Sequence, residues 1–107
     1  MPRLHSRIDT KSEEFAQNAA AMRELVTDLR ANLAQVAAGG SPAAVAKHRA
    51  RGRLPVRERI DLLLDPGAPF LEFSPLAAHG LYGGDVPGAG IVTGVGRVSG
   101  RECVIVG

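Results

Sequence analysis

The chain has 107 residues, enough for one domain or less. A single cysteine excludes an internal disulfide framework, and no apolar run approaches the ~20 residues that span a bilayer. Net charge is only +2, but residues 47–59 hold six Lys and Arg against one Glu, a local +5, while the remainder has seven basic and ten acidic residues, a local −3. A basic patch of this kind implies an anionic partner.

Residues 1–9 form a loose arm. Thr10-x-x-Glu13 fits a capping box and predicts a helix from about Lys11 to Ala38. Phe15, Met22, Leu29 and Val36 repeat every seven residues, with Ala19, Val26 and Leu33 beside them. Such a helix either packs along another helix or lies on a domain surface. Gly39-Gly40 stops it. Ser41 and Pro42 then serve as N-cap and first position of a second helix, about Pro42 to Ala50, with Lys47, His48 and Arg49 at the end that favours cations.

A third helix opens at Pro55, and Asp65-Pro66-Gly67 ends it. Val56, Ile60, Leu63 and Leu64 share one face. Arg57 and Asp61 are four apart and can pair. Arg51, Arg53, Arg57 and Arg59 crowd the end of this helix that disfavours cations.

After Gly67 the texture becomes strand and turn. Phe70 to Phe73 is a short strand, and residues 74–89 form a long irregular loop rich in Gly and Pro. Gly90 to Val98 and Arg101 to Val106 are strands, joined by a two-residue turn at Ser99-Gly100. Gly94 and Gly96 fall on one face with Val92 and Val98, and glycines so placed mark a close approach. Cys103 to Val106 is nearly all apolar, the pattern of a strand buried on both faces.

Few residues point to chemistry. The glycine runs from Gly88 and from Gly94 precede strand rather than helix, so a nucleotide loop has no support. His5, His48 and His79 lack ligand spacing for a metal. Cys103 in a strand reads as an inert buried thiol, and Tyr82 either packs or touches a ligand. Lys47, Arg49, Arg51, Arg53, Arg57 and Arg59 are the one constellation that suits a ligand. Phosphate satisfies guanidinium forks well. Nucleic acid is a rival ligand, although aromatic residues are missing between the charges. A solvated or subunit-facing surface is the third alternative.

Arg53-Leu54-x-x-Arg57-Glu58-Arg59-Ile60-Asp61-x-Leu63-x-Asp65-Pro66-Gly67 resembles the N-terminal part of biotin-dependent acyl-CoA carboxylase carboxyltransferase subunits. Phe70-Leu71-Glu72-Phe73-Ser74 and the run from Pro87 to Val106 are similar to the methylcrotonoyl-CoA carboxylase β-subunit branch. The resemblance is strong from about Ala46 to Gly107 and looser before it. It implies an α/β, crotonase-like (ClpP-like) fold, represented by an N-terminal helical layer and the first β-hairpin. It divides the chain into a helix arm (1–40), two short helices with the basic cluster (41–67), and the start of the carboxyltransferase N-terminal domain (68–107).

Members of this family transfer a carboxyl group from carboxybiotin to 3-methylcrotonoyl-CoA in leucine degradation. The resemblance therefore implies an acyl-CoA substrate, biotin carried on a partner α subunit, a homo-oligomeric full-length protein, and no membrane. Such chains run several times longer and continue into an Asn-Asp-Ala-Thr-type segment, so the expectation is an N-terminal fragment, inactive alone and without a catalytic residue of its own. Arg49, Arg51 and Arg53 are the candidate ligands of coenzyme A phosphates. Geranoyl-CoA is the alternative substrate, and a non-enzymatic basic module binding nucleic acid or protein is the alternative class. The expected compartment is the cytoplasm, because Asp9, Glu13 and Glu14 follow too soon after Arg3 and Arg7 for a transit peptide.

Overall fold

The computed structural model describes residues 1–84 and 86–107. They form two compact units, Met1–Ala31 and Asn32–Gly107.

The first unit holds the arm and most of helix α1 (Glu13–Ala37). The capping expectation needs correction. Asp9 Oδ1 accepts from Lys11 N at 2.9 Å, and Ser12 Oγ accepts from Phe15 N at 3.1 Å. The Asp9 turn thus hands the N-cap to Ser12, two residues beyond Thr10. Glu13 and Glu14 sit in the first turn, where the helix dipole favours them. Phe15, Met22 and Leu29 of the seven-residue stripe are exposed.

In the second unit α1 ends at Gly39, whose N–H reaches Val36 O at φ +80°. Helix α2 (Pro42–Ala50) has the expected bounds, and Ser41 Oγ accepts from Ala44 N at 3.2 Å. Helix α3 runs Val56–Leu63, with Pro55 one step outside as the cap residue. Its apolar face is narrower than expected. Val56, Ile60 and Leu64 turn inward, whereas Leu63 is half-exposed, because only the i, i+4, i+8 row meets the sheet.

Strands β1 (Phe70–Phe73), β2 (Thr93–Val98) and β3 (Arg101–Val106) form an antiparallel sheet in that order. The expected hairpin forms, pairing Thr93 with Val106 and Val98 with Arg101. Ser99 and Gly100 take φ of +51° and +76°, the left-handed pair of a type I′ turn. The third strand joins through Phe70↔Gly96 and Phe73↔Thr93. β2 starts three residues later than expected, since Pro87–Gly90 closes into a 3-10 turn first.

The core is Ile60, Val92 and Ile105, flanked by Val56, Leu64, Phe70 and Val98. Gly94 admits the Phe70 ring and Gly96 admits Leu64, so the glycine face of β2 is where α3 and β1 approach. β3 departs from the two-sided burial expected of it. Cys103 and Ile105 face the core, but Val104 is 72% and Val106 66% exposed. Leu71 and Phe73 of β1 are exposed as well.

Asp65 ties α3 to the hairpin. Its N–H donates to Arg97 O at 2.9 Å, and its carboxylate accepts from Ser99 N at 2.7 Å and Gly100 N at 2.8 Å. The sequence marks Asp65 only as part of a helix stop; the long-range role has no local signal.

The loop between β1 and β2 is a chain of tight turns. Ala77 N reaches Ser74 O, His79 N reaches Leu76 O, Leu81 N reaches Ala78 O and Gly84 N reaches Leu81 O, all at 2.9–3.0 Å. Four non-glycine residues here, Ser74, Ala78, Tyr82 and Ala89, have φ between +46° and +59°. Each costs of order 1 kcal/mol, and such costs persist where surrounding structure over-determines the backbone.

Candidate functional site

The basic cluster sits on the corner between α2 and α3. Three backbone bonds build that corner. Arg51 N and Arg53 N donate to His48 O at 3.2 and 3.3 Å, and Gly52 N donates to Arg49 O at 2.8 Å. Gly52 lies at φ +73° with open space around it, as a residue just past a helix end does. His48 Nε2 adds a contact to Leu54 O at 3.1 Å.

The six cations divide into two kinds. Arg49 forks onto Glu58, with Nη1 3.1 Å from Oε2 and Nη2 on Oε1. Arg57 forks onto Glu72 in β1 at 2.7 and 2.8 Å. The second pair overturns Asp61 as the partner of Arg57. A carboxylate across the packing interface meets both guanidinium nitrogens, whereas Asp61, one turn on, adds only a distant attraction. Lys47, Arg51, Arg53 and Arg59 have no ion pair among the described residues, and all four are exposed.

The Arg57 hydrogen bonds hold the Glu72 carboxyl below its usual range. Because the folded value is lowered, the pair stabilises the fold above the unfolded carboxylate pKa of ~4.3 and loses that contribution as pH falls through the folded value. Glu72→Gln is therefore expected to melt about 5 °C below the parent at pH 7, the two converging at acid pH. Thermal melts across pH check this. A gap that persists at the acid end would show that Glu72 acts through packing alone.

A groove of about 550 Å³ runs along residues 65–71 and 95–97. Its charged side chains are already engaged, Asp65 with the hairpin and Arg97 with Glu102 at 3.6 Å. Among the described residues no group of three His, Cys, Asp or Glu could hold a metal, and no helix is long and apolar enough to cross a membrane. The Cys103 thiol is half-buried and free.

A sheet with a helix on one face, entered through a basic corner, is the arrangement of the start of an α/β domain. The chain belongs to the carboxyl transferase domain family, whose family model matches residues 47–107. It is 55% identical over 104 residues to the probable methylcrotonoyl-CoA carboxylase beta chain, mitochondrial, of Drosophila melanogaster, covering 96% of this chain and 18% of that one. It is 61% identical over 84 residues to the biotin-dependent 3-methylcrotonyl-coenzyme A carboxylase beta1 subunit of Mycobacterium tuberculosis, covering 78% and 16%. The crystal structure of the Pseudomonas aeruginosa geranyl-CoA carboxylase β subunit superposes with a TM-score of 0.62 at 38% identity, covering 98% of this chain and 20% of that one. The chain thus spans a fifth or less of the length of these proteins. The α/β, crotonase-like carboxyltransferase fold expected from the sequence holds.

Proposed function

We propose that the chain supplies the N-terminal part of a carboxyltransferase subunit acting on 3-methylcrotonoyl-CoA, and that Arg51 and Arg53 hold phosphate groups of coenzyme A. The observation that carries the site is the division of the cluster. Arg51 and Arg53 stand exposed on a hydrogen-bonded corner without a carboxylate partner among the described residues, so phosphate oxygens replace water there. Arg49 joins them only by releasing Glu58.

Biotin on a partner α subunit would supply the carboxyl group, and no residue here is assigned a part in that chemistry. A homo-oligomeric full-length assembly belongs to the same proposal. The names of the Drosophila and Mycobacterium relatives support the methylcrotonoyl substrate. Geranoyl-CoA is the second reading, supported by the Pseudomonas structure at lower identity. The proposed compartment is the cytoplasm, supported by acidic Asp9, Glu13 and Glu14 close behind Arg3 and Arg7.

Calorimetric titration of the chain with coenzyme A and with its 3′-dephospho form tests the site. Arg51→Ala or Arg53→Ala is expected to weaken coenzyme A binding roughly tenfold or more, as a lost charge-assisted bond is worth about 1.5–3 kcal/mol. The loss should shrink for the dephospho form with whichever arginine serves the 3′-phosphate. Unchanged affinity for both ligands, with an earlier melt, would make the cluster structural. Steeply salt-dependent DNA binding without coenzyme A binding would favour the nucleic-acid module.

A further inference from the structure

The two forked arginine pairs differ in what holds them. The Arg57 and Glu72 side chains are 29% and 23% exposed and tie α3 to β1 through both guanidinium nitrogens. The Arg49 and Glu58 side chains are 49% and 42% exposed and join only the end of α2 to the first turn of α3. Solvent reaches this second pair, and an exposed pair is worth no more than about fivefold in an equilibrium constant. A better acceptor can take Arg49 from Glu58. Taking Arg57 from Glu72 means opening the packing between α3 and the sheet.

Arg49 also belongs to the corner that carries Arg51 and Arg53. Gly52, which stands between those two, donates its N–H to Arg49 O at 2.8 Å. Three guanidinium groups thus leave the chain within five residues, and Glu58 engages one of them. The Arg49 hydrogen bond holds the Glu58 carboxyl below its usual range, so at neutral pH it competes as a full negative charge. A diphosphate carries more charge than a carboxylate and has oxygens for more than one guanidinium fork.

We propose that Glu58 is a built-in competitor of the anion site: it occupies Arg49 while the corner is empty, yields it to a diphosphate-bearing ligand, and so sets how tightly the corner holds that ligand. This deepens the phosphate reading of Arg51 and Arg53 and rests on it. Glu58 is a positioning residue, acting on the ligand only through Arg49. The coupling is reciprocal: a bound diphosphate weakens the hold of Glu58 on Arg49 by the factor that Glu58 takes from the affinity.

The test is calorimetric titration of the 107-residue chain with inorganic pyrophosphate. Glu58→Gln should tighten binding about two- to fivefold, the worth of the exposed pair. Asp61→Asn removes an equal charge from α3 without freeing Arg49, and should change affinity less than about twofold because it acts only through screened solvent. On an Arg49→Ala background the gain from Glu58→Gln should vanish. Equal gains from Glu58→Gln and Asp61→Asn overturn the proposal, as does a gain that survives Arg49→Ala, or no gain at all. In the unaltered chain, the Arg49 guanidinium ¹⁵N resonances should move when pyrophosphate is added. Resonances that stay in place while those of Arg51 and Arg53 move overturn the proposal whatever the variants do. Weaker binding by Arg51→Ala and Arg53→Ala without the Glu58 effect removes the competitor and leaves the phosphate site standing. A Glu58 effect that depends on Arg49, in a chain where Arg51→Ala and Arg53→Ala change nothing, keeps the competitor and overturns the phosphate assignment of those two residues.

Discussion

Gly94→Ala is expected to unfold most of the second unit. A Cβ at position 94 would lie 2.5 Å from the Leu71 carbonyl oxygen and 2.5 Å from Phe70 Cζ. The first of these is strand backbone, which cannot rotate away as a side chain end can. β1 must shift, and Phe70 then leaves the core. Overpacking usually costs 1–3 kcal/mol, and the loss of Phe70 packing adds to it, so about 3 kcal/mol or more is expected. For a unit of this size that is a fall of roughly 12 °C or more in melting temperature. Gly100→Ala is the control. Nothing lies within 4 Å of a Cβ there, and only φ +76° opposes the change, a cost of about 1–2 kcal/mol. Circular-dichroism melts of both variants check the comparison. A Gly94→Ala chain melting within a degree or two of the parent would mean that Phe70 does not lie across the glycine face.

Ile60→Ala is expected to cost about 2–5 kcal/mol. Ile60 is the most buried hydrophobic side chain, 4% exposed, and joins α3 to Val92 and Ile105. Small domains hold only a few kcal/mol in reserve, so the variant should be largely unfolded. Leu62→Ala, two residues on and 76% exposed, should stay within about 0.5 kcal/mol of the parent. Denaturant titrations of the pair check this. Equal losses at both positions would overturn the assignment of the covered face.

Where interactions are local, the sequence was enough. α2 has its expected bounds because Ser41, Pro42 and Gly52 act within a turn of where they stand. Ser99-Gly100 makes its hairpin for the same reason. The glycine face of β2 was legible too, since alternation sets Gly94 and Gly96 beside Val92 and Val98 whatever covers them. The basic cluster was visible as a run of charge, and the family likeness as a run of residues.

Tertiary structure decided which partners those residues take. Arg57 chose Glu72, fifteen residues away, over Asp61 one turn on. Arg49 was drawn to Glu58, while Arg51, Arg53 and Arg59 have no acidic partner among the described residues. Asp65 closed on the turn at Ser99 and Gly100. Leu63 stayed outside because the sheet meets only one row of α3. Spacing along a helix or strand fixes direction within a few residues. Pairing between elements depends on register and packing, and those exist only once the chain has folded.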